Sequence, residues 1–469
     1  MELPLTIQEA AAALRAGQIT SVELTRTLLD KIVKLNPILG AFIYVTADAA
    51  LAEAAAADAL FAAGIDRGAL QGIPYAAKDI IATQTAPTTA NGKVLDPAWG
   101  AGYDATVIAK LRAAGAVLLG KTVLNEFAIG MPDPGMPFPM PQNPWDLPRS
   151  AAGSSSGTGI AVAAGLTLGG LGTDTGGSTR GPASFNGHTG MKQTYGRVSK
   201  WGCVPLGYSL DGINPMARSA YDCALMLNIM AGYDPKDPCT VDLPVPDYTA
   251  SLTGSVAGLT IGVPMQYFFD VPLLDEETKA AVLAAVNVLK AAGATVKEVE
   301  VPYAAEAKDA NMIIMWAEGF AYHRPDLATQ YGIYGKYTSE VLARGALLGS
   351  GDYVQAQRFR SFFRTEMQKL FETIDVLVTP TSIGPAPLRA EMSPEKQFAN
   401  PSFTGQWNLA GLPAMALPCG FSSNTLPLSM QLIGKAFDEA TVFQVGDAYQ
   451  RLTDWHLQVP PIATKVTSA

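Results

Sequence analysis

Three times the chain repeats one pattern: an amphipathic helical run, a stop, then a short apolar run. It appears in "DATVIAKLRAAGAVLLGKT" (residues 104–122), "DEETKAAVLAAVNVLKAAGATVKEVEV" (275–301) and "FRTEMQKLFETIDVLVTPT" (363–381). Helices alternating with buried strands of this length predict α/β units around a largely parallel sheet. No period of 20–50 residues recurs, which excludes a solenoid. No Ser/Gly or Pro linker divides the chain, so residues 66–469 are expected to form one compact α/β domain. Residues 1–65 read as helices packed on it, with Thr6 and Ser21 as N-caps.

Of the 469 residues, 48% are apolar and 16% are charged, enough apolar surface for a large core. The formal net charge of −9 carries no basic block, so nucleic acid and anionic membrane are not expected partners. Cys203, Cys223, Cys239 and Cys419 show no metal-binding spacing and read as free thiols of a reducing compartment. With "MELPLTIQEAAAALRAGQ" opening directly on a helical pattern, the cytoplasm is the expected location. No metal and no cofactor is expected.

One stretch resists regular structure. "GMPDPGMPFPMPQNPWDLPRS" (residues 130–150) sets prolines among methionines and aromatics. It reads either as an ordered connector or as the apolar wall of a pocket. Met131, Met136, Phe138 and Met140 are its candidate contacts, with Trp316, Tyr322 and Tyr331 from further along the chain.

"GTDTGGSTRGPASFNG" (residues 172–187) places Ser178 after two glycines, as a nucleophile would stand. A serine needs a base, and the histidines are only His188, His323 and His456, none with a GxSxG elbow. Two other stretches supply alternatives. In "GIPYAAKDI" a short apolar strand delivers Lys78 to where an element leaves the core, and desolvation there lowers an amine's pKa. In "AGSSSGTGIAVAAG", Ser154, Ser155 and Ser156 stand between glycines before a helical run. Read singly, these are a surface charge and helix-capping serines. "GTDTGGSTRG" fits neither the phosphate-loop nor the dinucleotide pattern, because no lysine follows the glycines and no GxGxxG opens a helix.

Together with "GKTVLNEFAIG", "NPWDLPRSAAGSSSGTGIAVAAGL" and "NLAGLPAMALPCG", these segments resemble, in order and spacing, the amidase signature family. The resemblance spans residues 6–451. It implies a mixed β-sheet sandwiched between helices and a Ser–Ser–Lys triad of Ser178, Ser154 and Lys78. It further implies a cis peptide before Ser154 and an oxyanion hole from the backbone of Thr175, Gly176, Gly177 and Ser178. Ser155, Asp174 and Arg180 are implied as supporting residues. The chemistry is coherent: a buried neutral lysine draws a proton through Ser154 from Ser178, while glycines aim N–H groups at the oxyanion.

Within that family, the glutamine-using amidotransferase component carries an aspartate seven residues before the asparagine of "NLAG", where this chain has Pro401. The loop at 130–150 also departs from that component. The expected activity is therefore hydrolysis of a neutral, hydrophobic or aryl amide, similar to aryl acylamidases and urethanases. Carbamate or ester hydrolysis and an amidotransferase A-type subunit are the alternatives. The expected partner is a small-molecule amide or carbamate, handled by a monomer or homodimer.

Overall fold

The computed structural model describes residues 4–464. Among these, eleven strands form one mixed sheet. In chain order they are β1 (Phe42–Val45), β2 (Pro74–Lys78), β3 (Val117–Thr122), β4 (Gly169–Asp174), β5 (Thr189–Lys192), β6 (Gly212–Ala217), β7 (Thr260–Pro264), β8 (Thr295–Val299), β9 (Val376–Pro380), β10 (Ala414–Phe421) and β11 (Pro427–Gly434). Across the sheet the order is β1-β3-β2-β4-β6-β5-β10-β11-β9-β7-β8.

The three repeated sequence units account for the parallel parts. Helix Thr106–Ala113 leads into β3, helix Glu276–Ala291 into β8 and helix Ser350–Leu370 into β9. Their strands lie in two parallel blocks, β3-β2-β4 and β9-β7-β8. An antiparallel centre of β6, β5, β10 and β11 joins these blocks, so the sheet is mixed rather than largely parallel. Helices sandwich it, as in Arg180–Asn186 against β10 and β11, and Ser156–Ala163 against β2 and β4.

The N-terminal region differs from its helical reading at one place. Residues 42–45 form β1, which pairs antiparallel with β3 and joins this region to the sheet edge. Thr6 caps the first helix, Ile7–Arg15, by accepting from Glu9 N. The second helix, Ser21–Leu39, is capped by Thr20, whose hydroxyl accepts from Glu23 N. Ser21 instead donates to Gly72 O inside the core. No helix among the described residues is long and apolar enough to cross a membrane.

Parallel pairing of β2 with β4, Ala77 beside Leu171, brings the C-terminal ends of both strands to one edge. Lys78 ends β2, and the Thr175–Ser178 turn leaves β4 at that same edge. Open α/β sheets build their sites at such strand ends.

Candidate active site

Lys78 is fully buried, and its ammonium position is surrounded by hydroxyls. Nζ donates to Ser154 Oγ at 2.7 Å and to Thr173 Oγ1 at 2.6 Å. The next residue, Asp79, turns its carboxylate away to Lys121 at 3.0 Å. Burial without a contacting carboxylate lowers the Lys78 pKa to about 7, against a weaker upward pull from Cys203, Asp174 and Asp211. A substantial fraction of this amine is therefore neutral near neutral pH.

Ser154 is buried and follows a cis peptide bond from Gly153. Ser155 stitches three segments together. Its N–H donates to Ser178 O at 3.2 Å, and its hydroxyl donates to Thr173 O and accepts from Thr173 N. Ser178 is half-buried and lines one chamber with Ser154, Gly176 and Gly177.

The turn before Ser178 is held by a buried ion pair. Arg180 contacts Asp174 through Nε at 3.1 Å and Nη2 at 3.0 Å, and both side chains are fully buried. Asp174 also accepts from Gly177 N at 2.7 Å and Thr179 N at 3.1 Å. Against the burial penalty, Arg180 foremost, with the Lys192 charge and the Asn408 amide, holds the Asp174 carboxyl at about 2. The Gly177 amide is thus engaged in ordering the turn. Gly177 has φ +130°, a conformation L side chains rarely adopt, and a Cβ there would collide with Thr404.

Four supporting side chains escaped the sequence reading. Thr173 holds Lys78, and Asn408 donates to Asp174 Oδ1 at 2.9 Å. Both stand inside segments already singled out. Thr404 donates to Gly176 O at 2.6 Å and Asn311 donates to Thr175 O at 3.3 Å. Each lies more than a hundred residues from its partner in sequence, with no local pattern to betray it.

The chamber holding Ser178 has a volume of about 250 Å³ and meets a larger cavity of about 840 Å³ at Asn125, Gly130, Gly153, Ser402 and Thr404. Met131 and Met140 line the larger cavity, as does Pro401. The other pocket candidates stand elsewhere. Met136 packs on Gly335, and Phe138 lies along the same loop, half-buried, outside both cavities. Along helix Ala304–Gln330, Met312 and Met315 face the chamber, while Trp316 is rotated by about 100° from Met315 onto the core and beneath Arg344. Tyr322 and Tyr331 are 39% and 50% exposed, beyond the chamber toward that helix's C-terminal end. The histidines lie outside it: burial holds His188, His323 and His456 each at about 4, and none lines either cavity.

A buried amine bonded to a serine hydroxyl thus stands beside a glycine turn ending in a second serine, in a chamber that no histidine lines. The match to the amidase family covers residues 23–443, and the chain belongs to that family. The A-type subunit of the glutamyl-tRNA(Gln) amidotransferase of Roseiflexus sp. (strain RS-1) is 43% identical over 98% of each chain. Among solved structures, the peptide amidase of Stenotrophomonas maltophilia superposes with a TM-score of 0.83 at 30% identity, covering 96% of this chain and 98% of its own. The corresponding glutamyl-tRNA(Gln) amidotransferase chain of Thermotoga maritima gives 0.81 at 31%, covering 97% and 96%.

The amidotransferase relatives correct one expectation. A monomer or homodimer meeting only a small-molecule amide or carbamate, with no nucleic acid nearby, does not fit them. Their names describe one component of an amidotransferase concerned with a charged tRNA. Neither they nor the peptide amidase is named an aryl acylamidase or a urethanase.

Proposed function

We propose that the chain hydrolyses a primary carboxamide through an acyl-enzyme on Ser178, as the ammonia-releasing A-type component of an amidotransferase. The 2.7 Å bond from Lys78 Nζ to Ser154 Oγ, in a buried site without a contacting carboxylate, carries the chemical reading. The 43% identity over 98% of both chains favours the amidotransferase reading.

Ser178 Oγ attacks the carboxamide carbon as its proton passes to Ser154, whose own proton passes to neutral Lys78 Nζ. The carbonyl oxygen becomes an oxyanion facing the backbone amides of Thr175, Gly176 and Ser178, where one donor is worth roughly 3–4 kcal/mol. The relay then runs backwards: Lys78 returns a proton to Ser154, and Ser154 protonates the leaving nitrogen. The C–N bond breaks and ammonia departs. Water repeats the sequence on the acyl carbon and frees the carboxylate.

A second reading rests on Pro401. It lines the larger cavity beside Met131, Met140 and Phe403, and it offers no charge to a substrate amino group. That wall favours an apolar or aryl acyl group, or a carbamate or ester of the same shape.

One panel separates the readings: ammonia release from glutamine, and product release from p-nitroanilides, short acyl amides and an aryl carbamate. Each is run with wild type and Ser178→Ala, along with a pull-down for co-purifying proteins. Glutaminase activity with co-purifying partners supports the first reading, and aryl substrates alone support the second. Full activity in Ser178→Ala, or turnover of none by wild type, rejects both.

A further inference from the structure

We infer that Lys308 is an anchor for a substrate carboxylate, making the preferred substrate a short aliphatic carboxamide that bears an acid group. This rests on the reading of Ser178 as the acyl acceptor. Among the described residues lining the Ser178 chamber, Lys308 is the charged one; its polar companions include Asn125, Asn311, Ser402 and Thr404. Among those residues no carboxylate lines the wall to reject an anion or to hold an ammonium.

The placement follows from helix periodicity. Lys308, Asn311, Met312 and Met315 stand at i, i+3, i+4 and i+7 on helix Ala304–Gln330, one stripe turned to the chamber. Asn311 marks the catalytic end, since its amide donates to Thr175 O in the turn that precedes Ser178. Lys308 lies three residues away, about 4.5 Å along the helix axis. A few methylenes could span the stretch between a carbonyl at Ser178 and a carboxylate at Lys308, with Met312 and Met315 lining the chamber on the other side of Asn311.

The carboxylate of Asp309 stands 3.5 Å from the ammonium, on a side chain that is 62% exposed. Exposed pairs of this kind are weak and salt-screened. The Lys308 side chain is only 14% exposed, so a carboxylate meeting it is better shielded from water than Asp309 is.

The test measures binding and turnover separately. In the Ser178→Ala protein, calorimetry compares glutaramate (a primary amide with a distal carboxylate) with its methyl ester. The acid is expected to bind at least about tenfold more tightly, the scale of one charge-assisted hydrogen bond. Raising the salt should shrink this preference, a check that needs no further variant. Lys308→Met should bring the acid-to-ester ratio near unity, and Lys308→Arg should restore much of it. Equal binding, tighter binding of the ester, no binding of either, or an unchanged ratio in Lys308→Met overturns the proposal. Ammonia release from glutaramate by the Ser178-intact enzyme reports on the amidase reading alone. A binding preference without ammonia release would remove that reading and leave the anion anchor standing.

Discussion

Asp79 follows Lys78 in the chain yet gives its carboxylate to Lys121, at 3.0 Å, with both side chains fully buried. Lys121 is held in turn by Thr88 Oγ1 at 2.8 Å and Pro87 O at 3.2 Å. The arrangement keeps a negative charge one residue from Lys78 without letting it touch the Lys78 amine. An amine paired directly with a carboxylate would stay protonated, whereas Lys78 meets only hydroxyls.

The first prediction concerns this separation. Lys121→Met leaves the Asp79 charge buried and uncompensated, at a cost of about 3–5 kcal/mol in urea unfolding. The added Asp79→Leu change should recover most of that cost. In Lys121→Met the uncancelled Asp79 charge favours the protonated form of Lys78, so the pH–rate midpoint should move to higher pH. An unmoved midpoint in a folded variant would show that Asp79 has no influence on the base.

The second concerns pH. Lys78 must be neutral to accept a proton, and burial brings its pKa to about 7. kcat/KM should therefore rise through about pH 7 and level off one to two units above. A flat profile from pH 6 to 9, with chemistry shown to limit the rate, would dismiss Lys78 as the base.

Stability follows with a definite sign. The folded pKa of Lys78 lies below the ordinary 10.5, so between about 7 and 10.5 the unfolded chain binds more protons than the folded one. Stability then rises with pH across that window, and the penalty is complete below it. Lys78→Met abolishes activity and removes the penalty. Its melting temperature relative to wild type should be most favourable at pH 6 and lose that advantage towards pH 10. A difference independent of pH would contradict the assignment.

How much of this was legible in the sequence depended on how local each signal was. Strands β3, β8 and β9 follow their helices at once, and their β-branched and leucine runs are plain. Strands β6, β10 and β11 read "GINPMA", "AMALPCGF" and "PLSMQLIG". Proline and glycine inside them hide the strand pattern, and only pairing with neighbours makes them a sheet. The site divides in the same way. Lys78, Ser154 and Ser178 stand in glycine-marked segments, whereas Thr404 and Asn311 are defined by contacts across the fold. On helix Ala304–Gln330 the aromatic Trp316 drew attention, but the helix turns Met315 and Met312 inward instead.

The last prediction separates the turn's geometry from its stability. Arg180 reaches Asp174, Thr404 O, Gln431 Oε1 and Asn408 Oδ1 from one planar group. Lysine has a single nitrogen and cannot serve four acceptors in these directions. Arg180→Lys should therefore destabilise the protein by several kcal/mol, a cost comparable to breaking a buried pair. Gly177→Ala acts on the same turn differently. Its φ of +130° and the collision with Thr404 force the segment that aims N–H groups at the oxyanion to move. Losing one such donor costs about 10²–10³ in kcat, so Gly177→Ala should lower kcat by at least that factor. KM should change less, because the chamber's outer wall is untouched. Thr404→Ala in the same chain removes the nearest clashing atom, Oγ1, while Cβ stays 2.8 Å from the added methyl, so only part of the lost kcat should return. If Gly177→Ala alone keeps wild-type kcat, the turn does not form the oxyanion site.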